Sequence, residues 1–409
     1  MDSQPSTSTS QPKQTSSVHD ITSDKPPFGS RFLTNEAEVW SQNAWDHVPP
    51  PDDQDEIIAA SLQKQRSAPV PEDDKPKYNE RPARHWDTFY RNNSSNFFRD
   101  RKWLHNEFRE LISAAESDAG PITILEVGCG TGAAIFPLLS ANHNPHLTLR
   151  AYDYSKHAIR LVQENPLYKA PPIGTIEADV WDLTSESLPE GVESESADIV
   201  IMVFVFSALH PEEWSRAVAN VHKILKPNGL LLFRDYGRHD MAQLRFKGGR
   251  LLDDNFYIRG DKTRVYFFEM DELALLFTGA RTQPQSTVET HETVEEEAED
   301  ADGSRSITPS PLPTPVLEPE VPPSLEETTP ESITMPTPGQ IHPSLLASPP
   351  LALFTAVQLG VDRRLLLNRK RQVKMYRVWM QAKFRKAAEV GSETESSTEA
   401  VNNSTQQCA

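Results

Sequence analysis

The chain has 409 residues, 37% hydrophobic and 24% charged, with 34 prolines, two cysteines and a formal net charge of −18. Two cysteines exclude a disulfide framework and fit a reducing, cytoplasmic setting, and the twelve histidines show no ligand spacing with cysteine or carboxylate, so no metal is expected. No apolar run reaches membrane-spanning length, so a soluble protein without a membrane partner is expected.

Residues 1–26 are rich in Ser, Thr and Gln and poor in apolar residues, which predicts a disordered N-terminus rather than a targeting segment. The first strong fold signal is Ile122-Thr-Ile-Leu-Glu126-Val-Gly128-Cys-Gly130-Thr-Gly132, a short apolar run that breaks into alternating glycines behind a carboxylate. It reads as a strand feeding a glycine loop, where the missing Cβ atoms let backbone approach a ligand. The spacing E-x-G-x-G-x-G differs from the dinucleotide pattern G-x-G-x-x-G and matches the shape associated with S-adenosylmethionine (AdoMet). A glycine-rich turn of another α/β protein is the alternative.

Further apolar runs at Leu147–Ala151 and near Ile176 end in Asp153 and in Asp179 and Asp182-Leu183, and a longer one spans Asp198–Phe206. Asp153, about 20 residues past the loop, is spaced to accept both ribose hydroxyls. Between the runs lie helix-period segments, Ser155–Gln163 and Pro211–Leu225, the second stopped by Lys226-Pro227-Asn228-Gly229. This order predicts an α/β, Rossmann-like class I AdoMet-dependent methyltransferase fold: a mostly parallel seven-stranded sheet with helices on both faces.

Residues 280–350 hold 14 of the prolines, 13 acids against two bases and no aromatic residue, so they are expected to be a disordered insertion. That insertion carries −11 of the net charge and residues 1–80 another −7, leaving the remainder neutral. Within the remainder, residues 362–386 have ten bases and one acid, a local basic face suited to phosphates, or else a solvated strand surface. Residues 389–409 read as a disordered tail.

Three stretches go beyond what a fold explains: Arg84-His-Trp86-Asp-Thr-Phe-Tyr90 with Asn96-Phe-Phe-Arg-Asp-Arg-Lys-Trp103; Phe233-Arg-Asp235-Tyr-Gly-Arg238-His-Asp-Met-Ala-Gln-Leu-Arg245-Phe; and Asn255-Phe-Tyr-Ile-Arg259-Gly-Asp-Lys-Thr-Arg264-Val-Tyr-Phe-Phe268. Together they resemble the tRNA N3-methylcytidine methyltransferases, whose members use AdoMet to methylate the cytidine at position 32 of the anticodon loop. The resemblance covers about Trp86 to Phe277 and resumes at Gly360-Val-Asp-Arg-Arg364 through Lys374-Met-Tyr-Arg-Val-Trp379. It implies a methyltransferase domain split into residues 81–279 and 351–388. Phe28-Gly-Ser-Arg31 and Asn43-Ala-Trp45-Asp46 resemble the N-terminal extension of the branch acting on threonine tRNA, and in some organisms arginine tRNA; residues 27–80 are therefore a candidate tRNA-recognition segment. Two residues depart from the family pattern, Ala133 where Asn is usual and Lys262 where Gly is usual; the second is expected to strain a turn that favours positive φ.

The resemblance assigns Trp86 and Tyr90 as a lid over AdoMet, Gly128 and Gly130 to its loop, Asp153 to the ribose, Asp182 and Leu183 to the adenine, and Val203 to the end of the fourth strand. Trp86 reads equally as a core aromatic, and Asp179 competes with Asp182. Cytosine N3 carries a lone pair and no proton, so its methylation needs alignment and charge stabilisation rather than a strong base. Asp235 is the candidate for that catalytic role, with a structural pairing to Arg234 or Arg238 as the alternative. N3 lies on the Watson–Crick edge, so the base must leave its stack. Phe256, Tyr257, Arg259 and Arg264, with Arg238, are the candidates for stacking and phosphate contact, although such aromatics in isolation read as core. Arg364, Arg369 and Arg371 are candidates for tRNA phosphates. An aminoacyl-tRNA synthetase, or another tRNA-binding protein, is a candidate partner. A methyltransferase of a small molecule or protein, or an inactive RNA-binding scaffold, are the competing functions.

Overall fold

The computed structural model describes residues 33, 35–46, 48, 51–93, 97–281, 341–347 and 350–387. The expected N-terminal disorder, the Phe28-Gly-Ser-Arg31 stretch, most of the acidic insertion and the tail lie outside the described residues.

Eleven strands are described: β1 (Ala44–Asp46), β2 (Ile122–Val127), β3 (Leu147–Asp153), β4 (Thr175–Val180), β5 (Ala197–Val203), β6 (Leu225–Tyr236), β7 (Leu251–Asp253), β8 (Phe256–Ile258), β9 (Arg264–Tyr266), β10 (Phe354–Asn368) and β11 (Val373–Lys386). The main sheet runs β1-β10-β11-β6-β5-β2-β3-β4. The five strands β2 to β6 are parallel to one another, whereas β10, β11 and β6 pair antiparallel in turn. The seven strands expected from the sequence are present, and β1 adds an eighth at the edge through Ala44↔Leu366, Trp45↔Leu365 and Asp46↔Arg364.

Parallel strands covered on both faces need near-continuous apolar runs, and β5 supplies one: Ile199 to Val203 are all buried. One face packs on the helix Trp214–Ile224, through Trp214, Val221 and Ile224, and on the helix Met270–Thr278, through Leu273 and Phe277. The other packs on Ile135–Ser140 and Lys156–Glu164, through Ile135, Leu139, Ile159 and Val162. The helix Trp214–Ile224 ends where Leu225 turns extended, and Asn228 takes φ 65° before β6 continues. Strand order reverses beside β2, which has β3 on one side and β5 on the other. That reversal opens a crevice at the carboxyl ends of the strands.

A second sheet, β7-β8-β9, lies between β6 and the helix Met270–Thr278 in sequence. Lys262, in the turn before β9, adopts φ 68°, the left-handed conformation a glycine would take without strain. One domain boundary needs correction. Residues 341–347, assigned from composition to the disordered insertion, dock on the core: Ile341 and Leu345 are buried, and the His342 N–H donates to Glu272 Oε1 at 2.9 Å. Two apolar side chains and one amide suffice to hold a segment whose average composition hides them.

Candidate cofactor and substrate site

A cavity of about 480 Å³ counting its open mouth lies at the crevice, lined by Trp86, Tyr90, Val127, Gly128, Asp153, Tyr154, Trp181, Asp182, Leu183, Phe204, Val205, Ala208 and Leu209. Its floor is the glycine loop. Gly128 has φ 62°, and a Cβ there would meet Val205 Cγ2 at 2.4 Å; Gly130 has φ 56°, and its Cβ would meet the Tyr90 hydroxyl at 2.7 Å. Both positions thus need glycine twice over, for backbone conformation and for space. Gly130 does not line the cavity; its N–H donates to Asp153 Oδ2 at 2.9 Å, and Ser155 N–H donates to Oδ1 at 2.8 Å. Each carboxylate oxygen keeps lone-pair capacity toward the cavity. Burial pushes the Asp153 carboxyl up to about 6, against the opposing pull of these two amides.

Trp86 and Tyr90 come from the helix Pro82–Asn93, one turn apart, with ring centroids 5.8 Å from each other. Asp87 fixes that helix over the site: its Oδ1 accepts from the Ser155 hydroxyl at 2.7 Å and from His157 N–H at 3.1 Å. Asp182 lines the cavity and Asp179 does not. Asp182 Oδ1 accepts from the Thr184 amide and hydroxyl. Val203 is not at the surface of the cavity but in the core beneath it; the next two residues, Phe204 and Val205, form the wall.

Glu126 is the most unusual group nearby. It is 1% exposed, both its oxygens lack a hydrogen-bond partner, and its nearest cation, Arg101 Nη1, is 3.7 Å away. Burial raises its pKa to about 8, with Arg101 opposing. A glycine cradle, a buried acid with spare acceptors and a wall of aromatics fit AdoMet, which carries an ammonium, a ribose and an adenine. Among the described residues no group of three or more His, Cys, Asp or Glu side chains is arranged to hold a metal, and no helix is long and apolar enough to cross a membrane.

Several substrate expectations are corrected. Phe256 and Tyr257 are each 1% exposed and pack into the interior, Phe256 in the main core and Tyr257 stacked on Phe246 with centroids 4.7 Å apart, so neither offers a face to a base. Arg264 is buried and donates to Ala208 O and Glu213, and Arg238 is buried and pairs with Glu269 at 2.9 Å. Arg364 reaches Glu107, Asp362 and Asp46. The alternation of aromatics with arginines that suggested RNA instead reflects short strands whose cations are neutralised inside the fold.

Much of the basic run is consumed in the same way. Lys374, Arg377, Lys383 and Lys386 pair with Glu36, Asp240, Glu110 and Glu195. Arg369, Lys370 and Arg371 at the tip of the β10–β11 hairpin are exposed. Midway along the hairpin Asp362, fully buried, joins Arg234 and Arg364. Burial pushes the Asp362 carboxyl up, but the two guanidiniums outweigh it and hold it below the usual carboxylate range. Arg364 also meets Asp46, so this cluster ties β1 to the sheet.

Asp235, at the end of β6, is fully buried and does not line the cavity. Its oxygens accept from Ser207 N–H at 2.9 Å and from Tyr236 N–H at 2.8 Å, and burial raises its pKa to about 6. It therefore braces the turn Phe206–Ala208 just behind the cavity wall. The two arginines offered as its structural partners pair elsewhere, Arg234 with Asp362 and Arg238 with Glu269.

Residues 125–231 match the family described as methyltransferase domain. A tRNA N(3)-methylcytidine methyltransferase of Schizosaccharomyces pombe is 38% identical over 378 residues, covering 92% of this chain and 98% of that protein. The chain belongs to the tRNA N3-methylcytidine methyltransferases. A tRNA N(3)-cytidine methyltransferase of Danio rerio is 34% identical, over 88% of this chain and 90% of that protein. A Saccharomyces cerevisiae protein named tRNA(Thr) (cytosine(32)-N(3))-methyltransferase is 40% identical over 87% of this chain, which spans only 45% of that longer relative. Among solved structures, an AdoMet-dependent methyltransferase of Methanosarcina mazei overlaps 68% of the chain and 98% of its own, with 16% identity and a TM-score of 0.37. Gly128, Asp153 and Asp182 all line the cavity of this methyltransferase.

The residues that sequence reading missed are Arg101, Tyr154, Trp181, Phe204 and Val205. Arg101 lies in one of the stretches that carry the family resemblance, and Phe204 is an aromatic directly after a buried strand.

Proposed function

We propose that this chain methylates N3 of the cytidine at position 32 in the anticodon loop of threonine tRNA. What carries the reading is the 38% identity that runs through nearly the whole chain and nearly the whole of the S. pombe relative, together with a cavity built on Gly128 and Asp153. The choice of threonine tRNA and of position 32 follows the name of the S. cerevisiae relative.

AdoMet supplies an electrophilic methyl group on a sulfonium. When bound, it would give up that methyl to N3, its sulfur keeping the bonding pair and the positive charge passing to the base. No proton has to be removed from N3. The chain's share is therefore positioning: Trp86 and Tyr90 cover the cavity, Asp153 presents its carboxylate to the ribose, and Asp182 and Leu183 define the adenine end. The Asp235 carboxylate, one residue from the cavity wall in the fold, stabilises the cationic product through space. Arg369, Lys370 and Arg371 attract the phosphate backbone. Assembly with an aminoacyl-tRNA synthetase and a cytoplasmic location complete the reading.

Purified protein incubated with AdoMet and total tRNA should give methyl-dependent reverse-transcription stops at position 32. Stops elsewhere, or methyl transfer only to a small molecule or protein, would overturn it.

A further inference from the structure

The burial of Phe256 and Tyr257 leaves a methyltransferase of an unpaired base without a stacking surface, and the cavity mouth supplies another. Phe204 follows the last residue of β5 with φ 60°, the left-handed region, in which a bulky aromatic is strained. Its N–H donates to Arg234 O at 2.8 Å, which holds the backbone there. In that conformation Phe204 packs partly against the core and also lines the cavity. Strain of this kind persists where surrounding structure enforces it, and it concentrates at functional sites.

Tyr236, at the end of the neighbouring strand β6, meets that ring with centroids 4.9 Å apart and planes at 44°. Both rings are partly exposed. Arg101 places its guanidinium 5.6 Å from the Phe204 centroid, and Arg259 lies 5.5 Å from the Tyr236 centroid. Two adjoining aromatic rings, each attended by an arginine, stand beside the carboxylate of Asp235, which accepts from the Tyr236 amide. We infer that Phe204 and Tyr236 form the platform on which the flipped cytosine stacks, with Arg101 and Arg259 flanking it. A π-face platform tolerates any base, and guanidiniums beside it serve the O2 carbonyl or the flanking phosphate, which suits a single-stranded pyrimidine in an RNA loop. The inference rests on the tRNA-methylating reading and names the substrate contacts of that same site.

Phe204→Gly tests it cleanly, because glycine removes the ring and relieves the positive φ, so the variant is expected to fold. A tRNA anticodon stem-loop with fluorescent pyrrolo-cytidine at position 32 reports stacking in the bound state. At saturating protein the wild type should quench the probe, and Phe204→Gly and Tyr236→Leu should lose that quenching. Single-turnover methylation of unmodified tRNA should fall about 10- to 100-fold in either variant, while calorimetric AdoMet affinity changes less than threefold for Tyr236→Leu. Quenching and turnover equal to wild type in both variants would overturn the platform. If the wild type itself transfers no methyl to tRNA, the function has failed instead, so the two failures are separate.

Discussion

Gly128→Ala should disable the cofactor site by a collision whose size can be worked out. The backbone there has φ 62°, so any side chain costs about 1–2 kcal/mol before it touches anything. The new Cβ would then lie 2.4 Å from Val205 Cγ2 and 2.8 Å from Cγ1. Val205 is branched and short, so it cannot swing a flexible end aside, and forcing the contact adds about 1–3 kcal/mol of overpacking. The total is about 2–5 kcal/mol, enough to shift a denaturant midpoint measurably. Because Val205 forms the cavity wall, its displacement should also weaken AdoMet binding in calorimetric titration. Adding Val205→Ala removes both Cγ collisions, leaving only the Cβ at 3.1 Å, and should recover most of the steric part of the loss. A single Gly128→Ala variant with wild-type stability and affinity would refute the steric reasoning, and failure of the double variant to recover stability would place the strain elsewhere.

Other expectations follow from the same geometry. If Asp153 holds the ribose as proposed, Asp153→Ala should weaken AdoMet binding by about 1.5–3 kcal/mol through the loss of two charge-assisted hydrogen bonds; an unchanged calorimetric affinity in a folded variant counts against the assignment. Between about pH 6.5 and 8, native Glu126 (pKa about 8) holds a proton that the unfolded chain, near its ordinary value, has released. The native state then binds more protons, so the stability of the cofactor-free protein should fall as pH rises through that window, and Glu126→Gln should flatten the slope. Thermal melts across the window decide this, a rising or flat wild-type curve being the contrary result. Asp362→Ala should cost about 3–5 kcal/mol in urea unfolding, because it leaves the buried Arg234 without its carboxylate, while Arg364 keeps Glu107 and Asp46. Neutralising Arg369, Lys370 and Arg371 should reduce the salt dependence of tRNA binding; identical slopes in filter binding would make them bystanders.

The parallel half of the fold was legible because β2, β3 and β5 carry apolar runs, the first leading into Gly128 and the second ending in Asp153. The place of Gly128, Asp153 and Asp182 at the cavity was legible for the same reason, since each follows closely on its strand. What could not be read were pairings made across the chain. Arg364 and Arg264 look like free cations until Glu107 and Glu213 arrive from distant segments. Phe256 and Tyr257 look like a stacking surface until helix and strand close over them, and the cavity wall at Phe204 depends on one left-handed φ that no periodicity encodes. The docked Ile341, His342 and Leu345 were lost in the average of an acidic, proline-rich stretch.

The most direct measurement is nucleoside mass spectrometry of a threonine tRNA transcript after incubation with the purified protein and AdoMet, beside a transcript carrying uridine at position 32. The expected result is one N3-methylcytidine per molecule in the first transcript and none in the second. Methylation that survives the substitution, or a methylcytidine other than the N3 isomer, would contradict the proposed reaction.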